Sequence, residues 1–310
     1  MISQKGETVM PERGKALVVA SFAGDSLALG VHWIYSAKRI AEEFGRVDVF
    51  LKPQPESYHP TKGKGEFTHY GDQTLVLLQS IAEKGTFDLK DFSRRWQSLF
   101  AGYTGYYDQA TRDTLQNFSK GASPEESGSS SNDIAGAARI APVVYCLRDN
   151  PDALAAAARA QTSMTHTDPL TVDSGEFFAR TSYQVLQGRS PVDALSTVAG
   201  EYFADSACSS WVDAGMKSTS FDSVSAIREF GRSCHTPEAF PGIIHLIAKY
   251  ENDLKEALVQ AVTAGGDSAA RAMIVGVVLG AHLGMSAIPP EWLVGLVYGD
   301  EIQRRIGQIG

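Results

Sequence analysis

The residues best suited to chemistry stand in the segment 264–271, Ala-Gly-Gly-Asp-Ser-Ala-Ala-Arg, which leads into the apolar run 272–288. Its two glycines predict the end of one helix, and Asp267 is then expected to be the N-cap of the next. A carboxylate and several free backbone N–H groups would meet at the start of a helix that is too apolar to face water. Such a point suits a metal ion, a phosphate or a hydroxyl-rich ligand.

Other candidates have both a functional and a structural interpretation. Asp25 lies on a helix that is otherwise apolar, so its carboxylate needs either a ligand or a buried hydrogen-bond partner. Asp72 is expected at the start of a helix, where it serves as a cap or binds a ligand. Arg139 stands in an apolar context and suits either a bidentate phosphate contact or a pair with a core carboxylate. His166 is expected to pack in a loop rather than to act as a base.

Composition restricts the class of protein. The chain has 310 residues, 43% of them hydrophobic and 21% charged, as is typical of a globular protein. Its net charge of -8 argues against a nucleic-acid surface. The three cysteines are too few and too scattered for a disulfide framework or a zinc site. The polar N-terminus lacks a signal-peptide core, and the run 272–288 contains His282, so we expect a buried helix, no membrane span and a cytoplasmic protein.

Helical periodicity dominates the chain. Apolar residues from Leu89 to Phe100 fall on one helix face after a cap at Asp88. Cap-proline pairs predict further helix starts at Asn150, Asp168, Ser190 and Thr236. Alternating strand patterns are missing, so the predicted class is all-α, with one domain over 1–310 and a flexible tail over 1–12. The segments 46–70 and 120–131 are rich in loop-forming residues and are expected to be mobile surface.

Six short segments, in order, resemble motifs of the ADP-ribosylglycohydrolase superfamily. They are Gly24-Asp25-Ser26-Leu27, Gly71-Asp72-Gln73-Thr74, Ala138-Arg139-Ile140-Ala141-Pro142, Thr165-His166-Thr167-Asp168-Pro169, Gly265-Gly266-Asp267-Ser268 and Ile288-Pro289-Pro290-Glu291-Trp292. Each motif is short, but together they span nearly the whole chain. The resemblance implies an orthogonal bundle of many helices around a central cleft.

The resemblance also implies a site for two magnesium ions. In active members, Thr-Asp-Asp-Thr and Gly-Gly-Asp-Thr-Asp-Thr motifs supply the ligands. This chain keeps Asp72 and Asp267, with a hydroxyl at Ser268, but it has Gln73 and Ala269 where the family has its other two aspartates. Adjacent magnesium ions need several carboxylates to offset their charge. We therefore expect at most one weakly held magnesium ion, on Asp72 and Asp267 with Gln73 and water.

The position of the family's flap glutamate is occupied by His32. By this resemblance, Asp72, Asp267 and His32 are the catalytic candidates, while Asp25, Arg139, Gln73 and Ser268 are the ligand-binding candidates. Asp72 and Asp267 are expected to face each other across the cleft, with Asp25 close by. Arg139 and the helix start at Asp267 would bind ADP-ribose.

Three functions stay open. The first is hydrolysis of an ADP-ribosyl or related N- or O-glycosidic bond, on a small molecule or an ADP-ribosylated substrate, with one metal ion or none. The second is non-catalytic binding of ADP-ribose or a nucleotide. The third is a structural role like that of the J1 crystallins, which belong to the same superfamily. Retained buried carboxylates favour an occupied site, whereas the lost metal ligands favour the last two functions.

Overall fold

The described chain is built from α-helices, as the sequence predicts. The computed structural model describes the backbone of residues 4–310 and the side chains from Glu12 onward. Within these residues there is no β-strand, and extended backbone pairs only in the isolated bridges Ser129–His166 and Asp133–His235. The helices are α1 Gln4–Leu29, α2 Ala37–Phe44, α3 His69–Lys84, α4 Leu89–Phe100, α5 Gln109–Ser119, α6 Ala135–Ala138, α7 Ala141–Cys146, α8 Pro151–Ser163, α9 Pro169–Leu186, α10 Pro191–Tyr202, α11 Ala207–Lys217, α12 Ser223–Phe230, α13 Thr236–Lys249, α14 Leu254–Thr263, α15 Ser268–Leu283, α16 Pro290–Gly295 and α17 Gly299–Ile306.

Helices α1 and α15 form the centre of the bundle. A β-carbon on Gly24 would lie 2.7 Å from the carbonyl oxygen of Ala272, and one on Gly276 would lie 2.5 Å from that of Ala20. Both distances are too short for a real contact, so these glycines allow the two backbones to approach more closely than other residues would permit. The remaining helices cover this pair, and every residue of α15 from Ser268 to Ala281 is buried.

This burial confirms the prediction of a buried helix for residues 272–281, whereas the helix ends at Leu283 and residues 282–287 are half-buried or exposed. No helix in the described part of the chain is long and apolar enough to cross a membrane. The tail expected over 1–12 begins with residues 1–3, which lie outside the described residues. From Gln4 onward the backbone already belongs to α1.

Most predicted helix starts are confirmed by a side chain that accepts a backbone N–H bond. This holds for Asp88, Asn150, Asp168, Ser190 and Asp267. Two predictions were wrong by a few residues. His235, not Thr236, stands at the N-cap of α13, and Thr68 caps α3, which places Asp72 in the first turn.

The two irregular segments are less superficial than their composition suggests. The chain between α2 and α3 buries the side chains of Phe50, His59 and Phe67. In the later segment, the hydroxyl of buried Ser127 donates to the carbonyl of Met164 at 2.8 Å. The prediction of exposed surface was therefore wrong for these side chains, because each loop covers part of the helix bundle.

Candidate functional site

Asp267 caps the central helix and is completely buried. Its Oδ1 accepts the N–H of Ala270 at 3.3 Å, and its Oδ2 accepts the hydroxyl of Tyr70 at 3.2 Å. Burial raises the pKa of Asp267 to about 6, although the charge of Arg271 and these two hydrogen bonds oppose the rise. The carboxyl group can therefore exchange its proton near neutral pH.

His32 lies beside Asp267 on a tight turn. Its Nδ1 is 3.9 Å from Asp267 Oδ1 and accepts the N–H of Ala269 at 3.4 Å. The next residue, Trp33, has a φ of 63°, which is uncommon for a bulky side chain. Burial lowers the pKa of His32 well below its usual value, and nearby His59 lowers it further. His32 is therefore neutral near pH 7 and is a poor proton donor for catalysis.

Asp72 is held by a lysine. Lys62 Nζ and the Tyr103 hydroxyl each lie 2.5 Å from Asp72 Oδ2. Burial raises the pKa of Asp72, while the positive charge of Lys62 opposes that rise. Lys62 comes from the loop before α3, so one side of that loop is fixed to the site by an ion pair.

Asp25 binds the start of α3. Its Oδ2 accepts the Thr68 N–H at 2.8 Å, and its Oδ1 accepts the Thr68 hydroxyl at 2.6 Å. Burial raises the pKa of Asp25 to about 7 against these hydrogen bonds. A β-carbon on Gly71 would lie only 2.5 Å from Asp25 Oδ2. The buried hydrogen-bond partner required by the sequence is therefore Thr68.

Gln73 and Arg139 are hydrogen-bonded to each other in the interior. The Oε1 atom of Gln73 accepts hydrogen bonds from Trp96 Nε1 at 2.7 Å and Arg139 Nη1 at 3.2 Å. Arg139 also donates to the Thr165 hydroxyl at 2.6 Å and the Gln161 carbonyl at 3.1 Å. Arg139 thus hydrogen-bonds neutral oxygens, and the oxygen of Gln73 already has two donors.

Histidines and aromatic rings form a layer over the first turn of α3. His59 stacks against Trp33 at 5.8 Å and lies 5.8 Å from His69, measured between ring centroids. Tyr58 and Tyr106 contact Trp33 edge-on at 4.9 and 5.1 Å. Neither ring nitrogen of buried His59 has a hydrogen-bond partner among the described residues. This layer, defined by Trp33, Tyr58, His59, His69 and Tyr106, covers the polar interior.

A small cavity reaches the aromatic layer from outside. It measures about 100 Å³, and its lining includes His32, Trp33 and Tyr58. Pockets for drug-sized ligands usually hold about 300–1,000 Å³. This cavity therefore holds a few water molecules beside His32 and is too small for a nucleotide.

The predicted site residues bind different partners in the structure. Asp72 belongs to the first turn of α3 and binds Lys62, Asp25 binds Thr68 at the N-cap of that helix, and Asp267 contacts the same turn through Tyr70. Among the described residues, no hydrogen bond joins Asp72 directly to Asp267. The Ser268 hydroxyl is buried without a hydrogen-bond partner among the described residues.

Several polar residues were missed by the sequence reasoning. Asp133 and Cys234 each place a ligand-type atom within 4.8 Å of Asp267 and of each other. Lys62 and Tyr103 were also missed, as was Asp108, whose Oδ2 lies 3.3 Å from His69 Nε2. His69 and Tyr70 directly precede the Gly-Asp-Gln-Thr segment, a signal that could have drawn attention to them. For Lys62, Asp133 and Cys234, the local sequence offers no comparable signal.

The sequence profile described as ADP-ribosylglycohydrolase matches residues 7–309. The chain belongs to this family. It is 26% identical to each of two curated proteins of Tripedalia cystophora, crystallin J1A and crystallin J1B, over 96% of this chain and 96% of each relative. An uncharacterized protein of Archaeoglobus fulgidus is 25% identical over 93% of this chain and 92% of its own.

The fold is that of the ADP-ribosylglycohydrolase family as well. A solved structure named "ADP-ribosylglycohydrolase-related protein complex" aligns over 97% of this chain and 98% of its own, with a TM-score of 0.76 and 22% identity. Both the all-α class and the family resemblance are therefore confirmed. The activity of this particular member has to be argued from its own residues.

The magnesium pair implied by the resemblance does not fit these residues. Magnesium demands octahedral oxygen ligands close to the ion. Here an ammonium group lies on Asp72, the oxygen of Gln73 binds Trp96 and Arg139, and Ala269 and Ala270 offer no side-chain oxygen. Of the three side chains expected to hold a single ion, Asp72 thus has one oxygen paired with Lys62 and Tyr103, and Gln73 has its only oxygen bound to two donors.

Proposed function

We propose that this member of the ADP-ribosylglycohydrolase family cleaves an ADP-ribosyl or related N- or O-glycosidic bond slowly and without a magnesium pair. The observation that carries the proposal is the ion pair between Lys62 and Asp72. It places a fixed positive charge where the resemblance implies a metal ion. Asp72 and Asp267 are the residues proposed to do the chemistry.

The two carboxyl groups have different surroundings, as glycosidic cleavage requires of an acid and a base. Asp72 has an ammonium neighbour, which favours its charged form and suits a base that activates water. Asp267 has a phenol and a backbone N–H as donors, and its pKa of about 6 suits a group that gives up a proton. One general base contributes about 10²–10⁴-fold to a rate, so turnover should be slow.

A second candidate function is non-catalytic: binding of ADP-ribose or a nucleotide, or a structural role like that of the related J1 crystallins. The closed interior favours the structural role. Asp72, Gln73, Arg139 and Asp267 are all buried, and the cavity next to His32 measures about 100 Å³. Under this proposal the polar groups keep the bundle in one arrangement and do not turn over a substrate.

Release of ADP-ribose from peptides modified on arginine and on serine tests the proposal. The full chain is assayed with a chelator and with added magnesium, beside Asp72→Asn and a surface control, Asp113→Asn. We expect slow release of ADP-ribose that the chelator does not reduce. The Asp72→Asn chain should show no release, and the Asp113→Asn chain should release ADP-ribose as the original chain does. Release that requires magnesium would contradict the proposal.

Calorimetry separates the non-catalytic alternatives. Failure of hydrolysis with measurable binding of ADP-ribose would establish a binding protein. Failure of both would leave the structural, crystallin-like role.

A further inference from the structure

Three loops that each precede a helix bring a thiol and two carboxylates together. Asp133 precedes α6, Cys234 precedes α13, and Asp267 caps α15. One ligand-type atom of each lies within 4.8 Å of the other two, with Asp133 and Asp267 buried and Cys234 half-buried. We propose that Asp133, Cys234 and Asp267 bind one zinc-class divalent cation.

Backbone hydrogen bonds hold the three loops in fixed relation. The Ile134 N–H donates to the Cys234 carbonyl at 2.8 Å, and the Asp267 N–H donates to the Arg232 carbonyl at 2.9 Å. The Thr236 N–H donates to the Asn132 carbonyl at 2.8 Å. The three ligand atoms are therefore preorganised by backbone contacts that do not involve their side chains.

The charge in this cluster calls for a cation or for protons. Asp133 accepts the Ala135 N–H at 2.9 Å, and Asp267 accepts the Tyr70 hydroxyl and the Ala270 N–H, which are all neutral donors. The buried Arg271 guanidinium offsets part of the charge of Asp267 alone. Burial raises the pKa of Asp133 and of the Cys234 thiol, and each is raised further by the neighbouring carboxylates. A bound cation would offset the repulsion between the carboxylates, which adds to the effect of burial.

Buried polar atoms beside the cluster provide an independent indication of a ligand. The His32 side chain has no exposed surface, and its Nδ1 faces Asp267 Oδ1 at 3.9 Å. Nδ1 uses its single lone pair to accept the Ala269 N–H, so Nε2 carries the ring hydrogen, and Nε2 is buried without a hydrogen-bond partner among the described residues. The Ser268 hydroxyl, next to Asp267, is buried without a partner there as well. His32 therefore lies against the cluster without binding the cation, and water completes the ligand set.

The donor types select the metal. A thiolate and two carboxylates, with water in the fourth position, suit zinc, which takes four ligands at about 2.0–2.3 Å. Magnesium prefers oxygen ligands alone and would gain nothing from Cys234. On binding, the Cys234 thiol loses its proton to solvent and the sulfur coordinates as the thiolate. Zinc on Asp267 would occupy the carboxyl group proposed above as the proton donor, so the proposed cleavage belongs to the metal-free chain, and the cobalt titration below tests the metal site alone.

Cobalt titration of the metal-free full chain tests this site. We expect one equivalent of cobalt(II) to bind with a near-ultraviolet thiolate-to-cobalt absorption band, and zinc but not magnesium to displace it. Cys234→Ser should remove the band and weaken binding at least about tenfold. The matched control, Cys146→Ser, alters another half-buried free cysteine and should keep both.

Asp133→Asn is the second variant, since its amide oxygen can still accept the Ala135 N–H. It should also weaken cobalt binding at least about tenfold while far-ultraviolet circular dichroism stays unchanged. Absence of stoichiometric binding to the original chain would overturn the proposal and leave a cluster that shares protons. Retention of the band in a folded Cys234→Ser chain would overturn it as well.

Discussion

Lys62 Nζ lies 2.5 Å from Asp72 Oδ2, and the two side chains are only 12% and 10% exposed. This ion pair joins the loop before α3 to the helix that carries the Gly-Asp-Gln-Thr segment. Breaking a buried pair by removing one partner is costly, because the other charge stays buried without compensation. We therefore expect Lys62 both to hold this loop against α3 and to oppose a metal ion at Asp72.

Magnesium affinity should return only when Lys62 is removed. We expect the chain with Gln73→Asp, Ala269→Asp and Ala270→Thr to bind magnesium no better than the original, whether or not His32→Glu is added. Like charges about 4 Å apart cost about 4 kcal/mol at an effective dielectric constant near 20, and the ammonium would repel the ion. Adding Lys62→Met should give binding that calorimetry detects.

Lys64→Met is the matched control for that experiment, because Lys64 lies two residues away and is exposed. It should leave magnesium affinity unchanged in the same background. Equal binding with Lys62 present or absent would show that the ammonium does not exclude the ion.

Loss of the Tyr103 hydroxyl should destabilise the fold. Tyr103→Phe removes a donor from a buried carboxylate, which typically costs about 1–3 kcal/mol in the free energy of unfolding. Urea unfolding measures the change, and Tyr107→Phe is the control, since Tyr107 is a neighbouring half-buried tyrosine. Equal effects of the two substitutions would argue against the contact with Asp72.

A side chain at Gly71 should disrupt the contact of Asp25 with α3. In Gly71→Ala the new β-carbon would meet Asp25 Oδ2 at 2.5 Å and Phe67 Cβ at 2.7 Å. We expect a clear fall in melting temperature. The helical control Gly200→Ala has no atom within 4 Å of its new β-carbon and should stabilise by up to about 1 kcal/mol. An unchanged melting temperature in the Gly71→Ala chain would contradict the described packing.

Acid should remove the stability that the buried histidines contribute. Asp25 and Asp267 act in the opposite direction, because their pKa values, raised to about 7 and about 6, let the folded chain bind protons before the unfolded chain does. Burial lowers the pKa of His59 to about 2 and that of His166 to about 3. The unfolded chain therefore binds protons below a pKa near 6.5 while the folded chain does not. The contribution of these histidines to the free energy of unfolding is fully present above about pH 6.5. Below that pH it falls by about 1.4 kcal/mol per pH unit for each histidine.

Urea unfolding at pH 7, 6 and 5 measures how steeply the stability of the protein falls with pH. His59→Leu should reduce the loss of stability by the share of one histidine. An identical slope in this variant would show that His59 is protonated in the folded protein or does not affect its acid stability.

The sequence alone determined those helices and caps that depend only on residues close to each other in the chain. Helical periodicity and cap residues established the all-α class, the cap at Asp267 and the buried apolar helix, because these depend on neighbours within a few residues. Motif order gave the family. The sequence also established that Asp25 needs a buried partner, although it could not name Thr68.

Only the tertiary structure decided which distant groups meet. Lys62 reaches Asp72, Trp96 and Arg139 bind the oxygen of Gln73, and Asp133 and Cys234 meet Asp267 because separate loops pack against the helix bundle. No spacing along the chain encodes such contacts, since they depend on how whole elements pack. Their effect is large because burial strengthens every charge interaction, so one lysine from a loop changes what the retained aspartates can bind.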